Sequence, residues 1–257
     1  MNDTLERALS KVPEVTFGFW VIKILATTLG ETGGDAVTMS LNLGYLIGTA
    51  IFAAIFVVAV SAQIAAARFR PFLYWFVIVA TTTAGTTLAD FCDRSLGIGY
   101  VGGSLLLFAC LMATLLVWHR TMGSVAVDQI RSRKAEGFYW ATIMFSQTLG
   151  TALGDWMADS TGLGYEGSAF LILVALAGVT ALFFVTRVSR PALFWAAFVL
   201  TRPLGATLAN SLDKPPASGG LGIGDITLSG LLALAMVVCV LLVPQRAGQH
   251  PAQADVA

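Results

Sequence analysis

Apolar residues gather along this chain into eight stretches: Val15–Asp35, Gly44–Gln63, Phe72–Phe91, Val101–His119, Phe138–Ala158, Ser168–Thr186, Ala192–Ser211 and Ile226–Val243. Each is close to the length of about 20 residues that a helix needs to cross a bilayer. The polar residues between them are short turns, so the pattern predicts an all-α integral membrane protein of eight transmembrane helices. The odd-numbered stretches interrupt their apolar runs with Thr, Gly, Asp or Glu; the even-numbered ones are plainer. They pair as four hairpins, each with a motif helix followed by a return helix.

The interruptions repeat, and a repeat decides architecture before any local propensity does. Trp20, Trp75, Trp140 and Trp195 each follow an aromatic residue: Phe19, Tyr74, Tyr139 and Phe194. Ten residues after each tryptophan comes Gly30, Gly85, Gly150 or Gly205, and fifteen after it Asp35, Asp90, Asp155 or Asn210. A turn glycine follows at twenty-four residues in the first three copies (Gly44, Gly99, Gly164) and at twenty-nine in the fourth (Gly224), where Pro215-Pro216-Ala217-Ser218-Gly219-Gly220 lengthens the turn. The copies lie 55, 65 and 55 residues apart, so the chain reads as two parallel four-helix halves, 15–128 and 129–244, offset by 120 residues. Residues 1–14 form a polar N-terminal segment, and 245–257 a polar tail expected to be disordered.

Composition agrees with the membrane reading. The chain is 56% hydrophobic and 12% charged, with mean hydropathy +0.79, where soluble domains carry about 25% charged residues. The net charge of +0 says nothing about partners, and no nucleic-acid partner is expected. Cys92, Cys110 and Cys239 are isolated, and His119 and His250 fall outside the apolar stretches, so neither a disulfide framework nor a histidine metal site is suggested. The polar N-terminus lacks a signal-peptide pattern. Of the fifteen basic residues, eleven fall on one side (Arg7, Lys11, Arg68, Arg70, Arg120, Arg131, Arg133, Lys134, Arg187, Arg190, Arg246) and two on the other (Arg94, Lys214). By the positive-inside rule both termini are cytoplasmic, in an inner-membrane, multi-pass arrangement. The aromatic pairs then belong to an interfacial belt, and the acids lie toward the outer face.

The candidate chemistry lies on the motif helices. Lys23, Thr27, Glu31 and Asp35 recur every fourth residue, hence on one helical face. Thr83, Thr87 and Asp90 do the same on the third helix. Gln147, Thr148 and Asp155 stand together on the fifth, and Thr207 and Asn210 beside Arg202 on the seventh. Thr28 extends the first set. Four equivalent stripes predict one central seam. Ionisable groups at membrane depth cost about 2.5–3.5 kcal/mol each on insertion scales and mark ion paths or relays. Oxygen ligands suit hard cations, so Glu31, Asp35, Asp90 and Asp155 are candidate metal ligands or proton relays, with Asn210 completing the set. The threonines and Gln147 would line the path, and Lys23 and Arg202 would compensate charge. The bland alternatives are glycines serving close helix packing, threonines bonded to their own helices, interfacial aspartates, Lys23 snorkelling to the surface, and Asp93, Asp159 and Asp213 lying in loops.

The repeated TTxGxTxxD pattern, as Thr27-Thr28-Leu29-Gly30-Glu31-Thr32-Gly33-Gly34-Asp35 and Thr82-Thr83-Ala84-Gly85-Thr86-Thr87-Leu88-Ala89-Asp90, resembles an uncharacterised bacterial "membrane-anchored protein" family over nearly the whole chain. That resemblance implies no activity. A looser analogy links the duplicated acids to small divalent-cation exporters, whose Glu-x-Gly-Asp order differs from the Gly-Glu-Thr-Gly-Gly-Asp found here.

The sequence therefore predicts an inner-membrane transporter of a small cation, a divalent metal such as manganese among the candidates, coupled to protons. The alternatives are a carrier of a small organic or anionic solute and a non-transporting scaffold or sensor. No HExxH, GxSxG or nucleotide-loop motif suggests an enzyme, and no cofactor is implied. The partners expected are the bilayer and the solute; the oligomeric state stays open.

Overall fold

Local sequence sets the helix ends. Thr16 accepts a hydrogen bond from the Phe19 amide (3.3 Å) and caps α1, Phe17–Asp35. Pro71 starts α3, Pro71–Asp90, at a position where its missing N–H costs nothing. Ser132 accepts from the Ala135 amide (3.1 Å) and starts α5, Arg133–Asp155, five residues before the apolar run that predicted it. α7 is Arg190–Asp213 and contains Pro203. The return helices are α2 (Gly44–Ala65), α4 (Tyr100–Met122), α6 (Gly164–Val185) and α8 (Asp225–Leu242). At their starts the turn glycines Gly44, Gly99, Gly164 and Gly224 take φ values of 77°, 76°, 65° and 83°, which side-chain-bearing residues rarely adopt. This computed structural model describes residues 11–130 and 132–248. Arg7, Arg131, His250, most of the 1–14 segment and the tail from 249 onward lie outside the described residues.

In the first three repeats the α-helix ends on the aspartate and continues as a five-residue π-helical turn: Ala36–Ser40, Phe91–Ser95 and Trp156–Ser160. The wider turn is closed by i→i+5 bonds such as Leu41 N–H to Ala36 O at 2.8 Å and Leu96 N–H to Phe91 O at 3.0 Å. In the fourth repeat α7 runs on to Asp213, so Asp213 is a buried helix residue and not the loop residue expected.

The motif helices α1, α3, α5 and α7 pack side by side in a closed ring, each against the next and α7 against α1. The return helices stand outside it. Each packs along the motif helix of the following repeat: α2 on α3, α4 on α5, α6 on α7, and α8 back on α1. The pairing of motif and return helices along the chain is thus not the pairing in which they pack. The π turn and the glycine turn after it carry the chain sideways to the next motif helix. A β-carbon at Gly48 would collide with Thr38 of the π turn and come within 3.7 Å of Thr87 of α3, so a larger residue would not fit. The two halves interlock in the same way, so they are repeats in sequence but not separate packing units.

Burial is inverted relative to a soluble protein. In the apolar span of the return helix Gly44–Ala65 11% of the residues are buried, whereas in that of Pro71–Ser95, α3 with its π turn, 72% are. Leu46, Val58, Leu105, Phe170, Phe184 and Leu241 are all exposed, while Thr, Gln, Glu, Lys and Arg side chains fill the ring. Among the described residues, six of the eight α-helices, α1 and α5 excepted, are long and apolar enough to cross a membrane.

Candidate functional site: the axis of the ring

The ring approaches closely because of its glycines. The space a β-carbon would need at Gly30 is taken by Thr82, at Gly85 by the backbone of Gln147 and Thr148, at Gly150 by the stem of Arg202, and at Gly205 by Thr27. Each glycine thus meets the residue seven after the tryptophan of the next repeat. The small-residue packing reading of these glycines holds.

The side chains on the axis recur every fourth residue, about 6 Å apart at ~1.5 Å per residue. At the closed end lie Phe19, Tyr74, Tyr139 and Phe194. Each stacks on the tryptophan of the next repeat: Phe19 on Trp75 (5.5 Å between ring centres), Tyr74 on Trp140 (5.8 Å), Tyr139 on Trp195 (6.0 Å) and Phe194 beside Trp20 (5.7 Å). The Tyr74 and Tyr139 hydroxyls share a hydrogen bond of 2.6 Å. The expected aromatic belt is therefore largely a buried plug: Trp75, Trp140 and Trp195 are all buried. The terminal segments cross this end, with Pro13 bridged to Ala247, Lys11 paired to Glu136 at 2.6 Å and Gln245 accepting from the Trp75 indole at 3.0 Å. Residues 245–248 are ordered by these contacts, contrary to the expected disorder.

One layer further in are Lys23, Ile78, Ile143 and Phe198, all fully buried. Lys23 does not snorkel. Its ammonium lies 4.1 Å from the centre of the Phe198 ring and 3.5 Å from Gln147 Oε1 across the ring. The next layer is Thr27, Thr82, Gln147 and Arg202, followed by Glu31, Thr86, Thr151 and Ala206. Arg202 joins all four repeats. Its Nη2 lies 2.6 Å from Glu31 Oε2, 2.5 Å from Thr86 Oγ1 and 2.6 Å from Thr151 Oγ1, three acceptors sharing its two N–H groups. Both hydroxyls are positioned to accept it, because their own hydrogens go to helix carbonyls, Thr82 O at 3.0 Å and Gln147 O at 3.3 Å.

At the open end Asp35, Asp90, Asp155 and Asn210 form a ring with two cations the sequence had not assigned to the site. Arg94 lies 3.0 Å from Asp90 and 3.4 Å from Asp155. Lys214 lies 2.5 Å from Asp35 and 3.8 Å from Asp213. Burial alone would make the Lys214 ammonium less basic, but the Asp35 carboxylate outweighs it and holds the charge in place. Glu31, Asp35, Asp90 and Asp155 therefore do not converge as one metal-ligand set: each faces an arginine or lysine. Among the described residues no three Asp, Glu, His or Cys side chains come together to hold a metal ion.

Of the sequence-predicted residues, Lys23, Thr27, Glu31, Asp35, Asp90, Gln147, Asp155, Arg202 and Asn210 belong to the axial layers. Thr28, Thr83, Thr148, Thr87 and Thr207 do not. They are buried on the flanks and bonded to their own helices, for example to Ile24 O (2.9 Å), Val79 O (2.9 Å), Met144 O (3.0 Å) and Pro203 O (2.9 Å). The axis instead uses Thr82, Thr86 and Thr151. The signal for them is the repeat register itself: positions seven and eleven after the tryptophan read Thr27/Thr82/Gln147/Arg202 and Glu31/Thr86/Thr151/Ala206.

No curated protein and no solved structure matches the chain. Residues 18–69, 73–124, 138–189 and 193–246 each match the repeat described as "Repeat of Unknown Function (DUF347)". Every match begins two residues before one of the four tryptophans, the register that organises the ring. Together they span most of the chain, which belongs to the DUF347 repeat family.

Proposed function

We propose that the protein is a multi-pass protein of the bacterial inner membrane, with both termini cytoplasmic, and that it transports a small charged solute along the axis of its ring. One observation carries this reading. A continuous column of polar and ionisable side chains, from Asp35 through Glu31 and Arg202 to Lys23, is enclosed by helices whose outer faces are apolar. In water that arrangement would expose large apolar patches and hide charges; in a bilayer it is the arrangement that serves a solute path. A scaffold held only by glycine packing and self-bonded threonines has no use for a buried lysine and arginine.

Charge decides which solute is favoured. In the inner layers Lys23 and Arg202 stand against Glu31 alone, which favours an anionic or oxygen-rich solute. The cation reading, a divalent metal such as manganese exchanged for protons through Glu31, Asp35, Asp90 and Asp155, draws on the open end. There Asp35, Asp90, Asp155 and Asp213 outnumber Arg94 and Lys214, and these pairs would have to open for a cation to bind.

The test compares a deletion strain with strains expressing the wild type or Glu31→Gln/Arg202→Gln. Cell contents of metals and of small organic and inorganic anions are measured under challenge with each. A solute that follows the wild type but not the double variant identifies the cargo. Unchanged contents under every challenge would leave the ring a scaffold.

A further inference from the structure

Among the described residues, the inner layers of the axis have their hydrogen bonds made except at one level. Arg202 commits all its contacts to Nη2, and its Nε and Nη1 have no partner. Gln147 Nε2 and Thr82 Oγ1 in the same layer are likewise buried without partners. All three side chains are wholly enclosed. Immediately below, Lys23 has three N–H groups and one acceptor at the long distance of 3.5 Å. A buried donor without an acceptor costs about 1–3 kcal/mol, more when charged, so this layer is not explained as packing. Its deficit has a definite chemistry. The orphaned nitrogens, Arg202 Nε and Nη1 and Gln147 Nε2, are all donors, so acceptors are missing. With Lys23 and Arg202 facing only Glu31, one negative charge is missing too.

We propose that this layer, Thr82, Gln147 and Arg202 with Lys23 beneath it, binds a small singly charged oxyanion, a monocarboxylate being the best match. The proposal rests on the transport reading above and names its substrate class. A carboxylate supplies acceptor oxygens and no donors. It takes charge-assisted bonds from Arg202 and Lys23 and further bonds from the Gln147 amide and the Thr82 hydroxyl. Glu31, Thr86 and Thr151 position the guanidinium by holding Nη2, and Gly150 stands against its stem, so the free nitrogens stay at this level. A metal ion finds the opposite there: it needs acceptors, and Glu31 is already bonded to Arg202.

The experiment uses the purified full-length chain in two formats. In detergent, sodium acetate and sodium formate are titrated while thermal unfolding is followed. In proteoliposomes, counterflow of labelled acetate and formate is measured beside labelled manganese and rubidium. Saturable stabilisation and counterflow by acetate or formate are expected. Arg202→Gln should abolish both. Gln147→Leu, which removes no charge and serves if Arg202→Gln fails to fold, should raise the half-saturating concentration about tenfold, the loss expected for one hydrogen bond to a charged group. Its maximal rate should be nearly unchanged. Counterflow of manganese or rubidium without either anion would overturn this site while leaving a transporter. Anion counterflow indifferent to both substitutions would do the same. Stabilisation by acetate without counterflow of any probe would keep the site and overturn the transport reading. Neither effect in well-folded wild type would overturn the site.

Discussion

The Glu31–Arg202 pair offers the sharpest quantitative test. The pair is 2.6 Å long, with Arg202 side-chain exposure of 0% and Glu31 of 4%. Removing one member of such a pair strands the other charge, at a cost of about 3–5 kcal/mol, whereas removing both is often close to neutral. Glu31→Gln should be the costlier single change, because it leaves Arg202 and Lys23 in adjacent layers with no counter-charge. Arg202→Met/Glu31→Leu should recover most of the loss. Thr86 and Thr151 remain satisfied through Thr82 O and Gln147 O after the guanidinium is gone. The coupling energy across the cycle, the two single losses less the small residual loss of the double variant, is then about 5–9 kcal/mol. At about 2–4 °C per kcal/mol for a chain of this size, each single variant should melt roughly 6–20 °C below the wild type and the double variant well above both. The six tryptophans, several of them packed at the closed end, give the fluorescence signal for unfolding in detergent. Single variants that each cost under about 1 kcal/mol, or a double variant whose cost is the sum of the two, would refute a buried, coupled pair.

Other consequences follow from the same geometry. Gly85→Ala places its β-carbon 3.0 Å from the backbone nitrogen of Thr148, which cannot swing aside, and should cost about 1–3 kcal/mol. Gly33→Ala meets nothing within 4 Å and should be neutral, or stabilising by up to about 1 kcal/mol, in the same melting assay. Arg94→Gln removes the shared partner of Asp90 and Asp155. Thermal stability should fall at neutral pH and recover as acid protonates the two carboxylates, and a loss independent of pH would count against their pairing. A circular permutant joining residue 248 to residue 11 by a short linker, with new ends near residue 124, should fold and melt close to the wild type. Pro13 and Ala247 are already bridged, and the ring contacts do not depend on chain order.

The repeat made much of this legible. Helix positions, turn glycines and the first axial face (Lys23, Thr27, Glu31, Asp35) follow from periodicity because residues four apart share one helical face. The other faces were misread by one residue. Thr83 and Thr87 look as polar as Thr82 and Thr86, and within a single helix nothing separates an axial threonine from one on the flank, since Thr27, Thr86 and Thr151 bond their own helix carbonyls too. Aligning the copies on their tryptophans separates them, since Gln147 and Arg202 occupy the column of Thr82. Packing partners were not legible at all. A chain of alternating motif and return helices is equally compatible with hairpins closed on themselves and with the shifted arrangement found. The shift occurs with a π turn in the first three repeats and without one in the fourth, so no single turn signature in the sequence announces it. Arg94 and Lys214 were read only as exceptions to a charge rule, although both stand nineteen residues after their tryptophans.

That shared position explains the one irregularity in the motif. The aspartate of one repeat takes its cation from position nineteen of the repeat before it: Asp155 from Arg94, and Asp35 from Lys214 around the closed ring. Position nineteen in the other two repeats is Met39 and Asp159. The residues they would serve are Asp90 and Asn210. Asp90 is rescued by Arg94 of its own repeat at 3.0 Å. At position 210 the register would match an aspartate with the acid Asp159 and supply no cation, and like charges brought together are unfavourable; an amide needs no cation and keeps the polar layer. Symmetry is broken inward for the same reason. Four-fold repetition of Lys23, Arg202 or Glu31 would stack four like charges on one axis in a low-dielectric interior, so each appears once and its columns are filled by Ile, Phe, Thr, Gln or Ala. The chain keeps four-fold symmetry where helices touch, at the glycines and aromatic stacks, and abandons it where charges meet. A fold selected for packing alone would have no reason to leave charge on its axis.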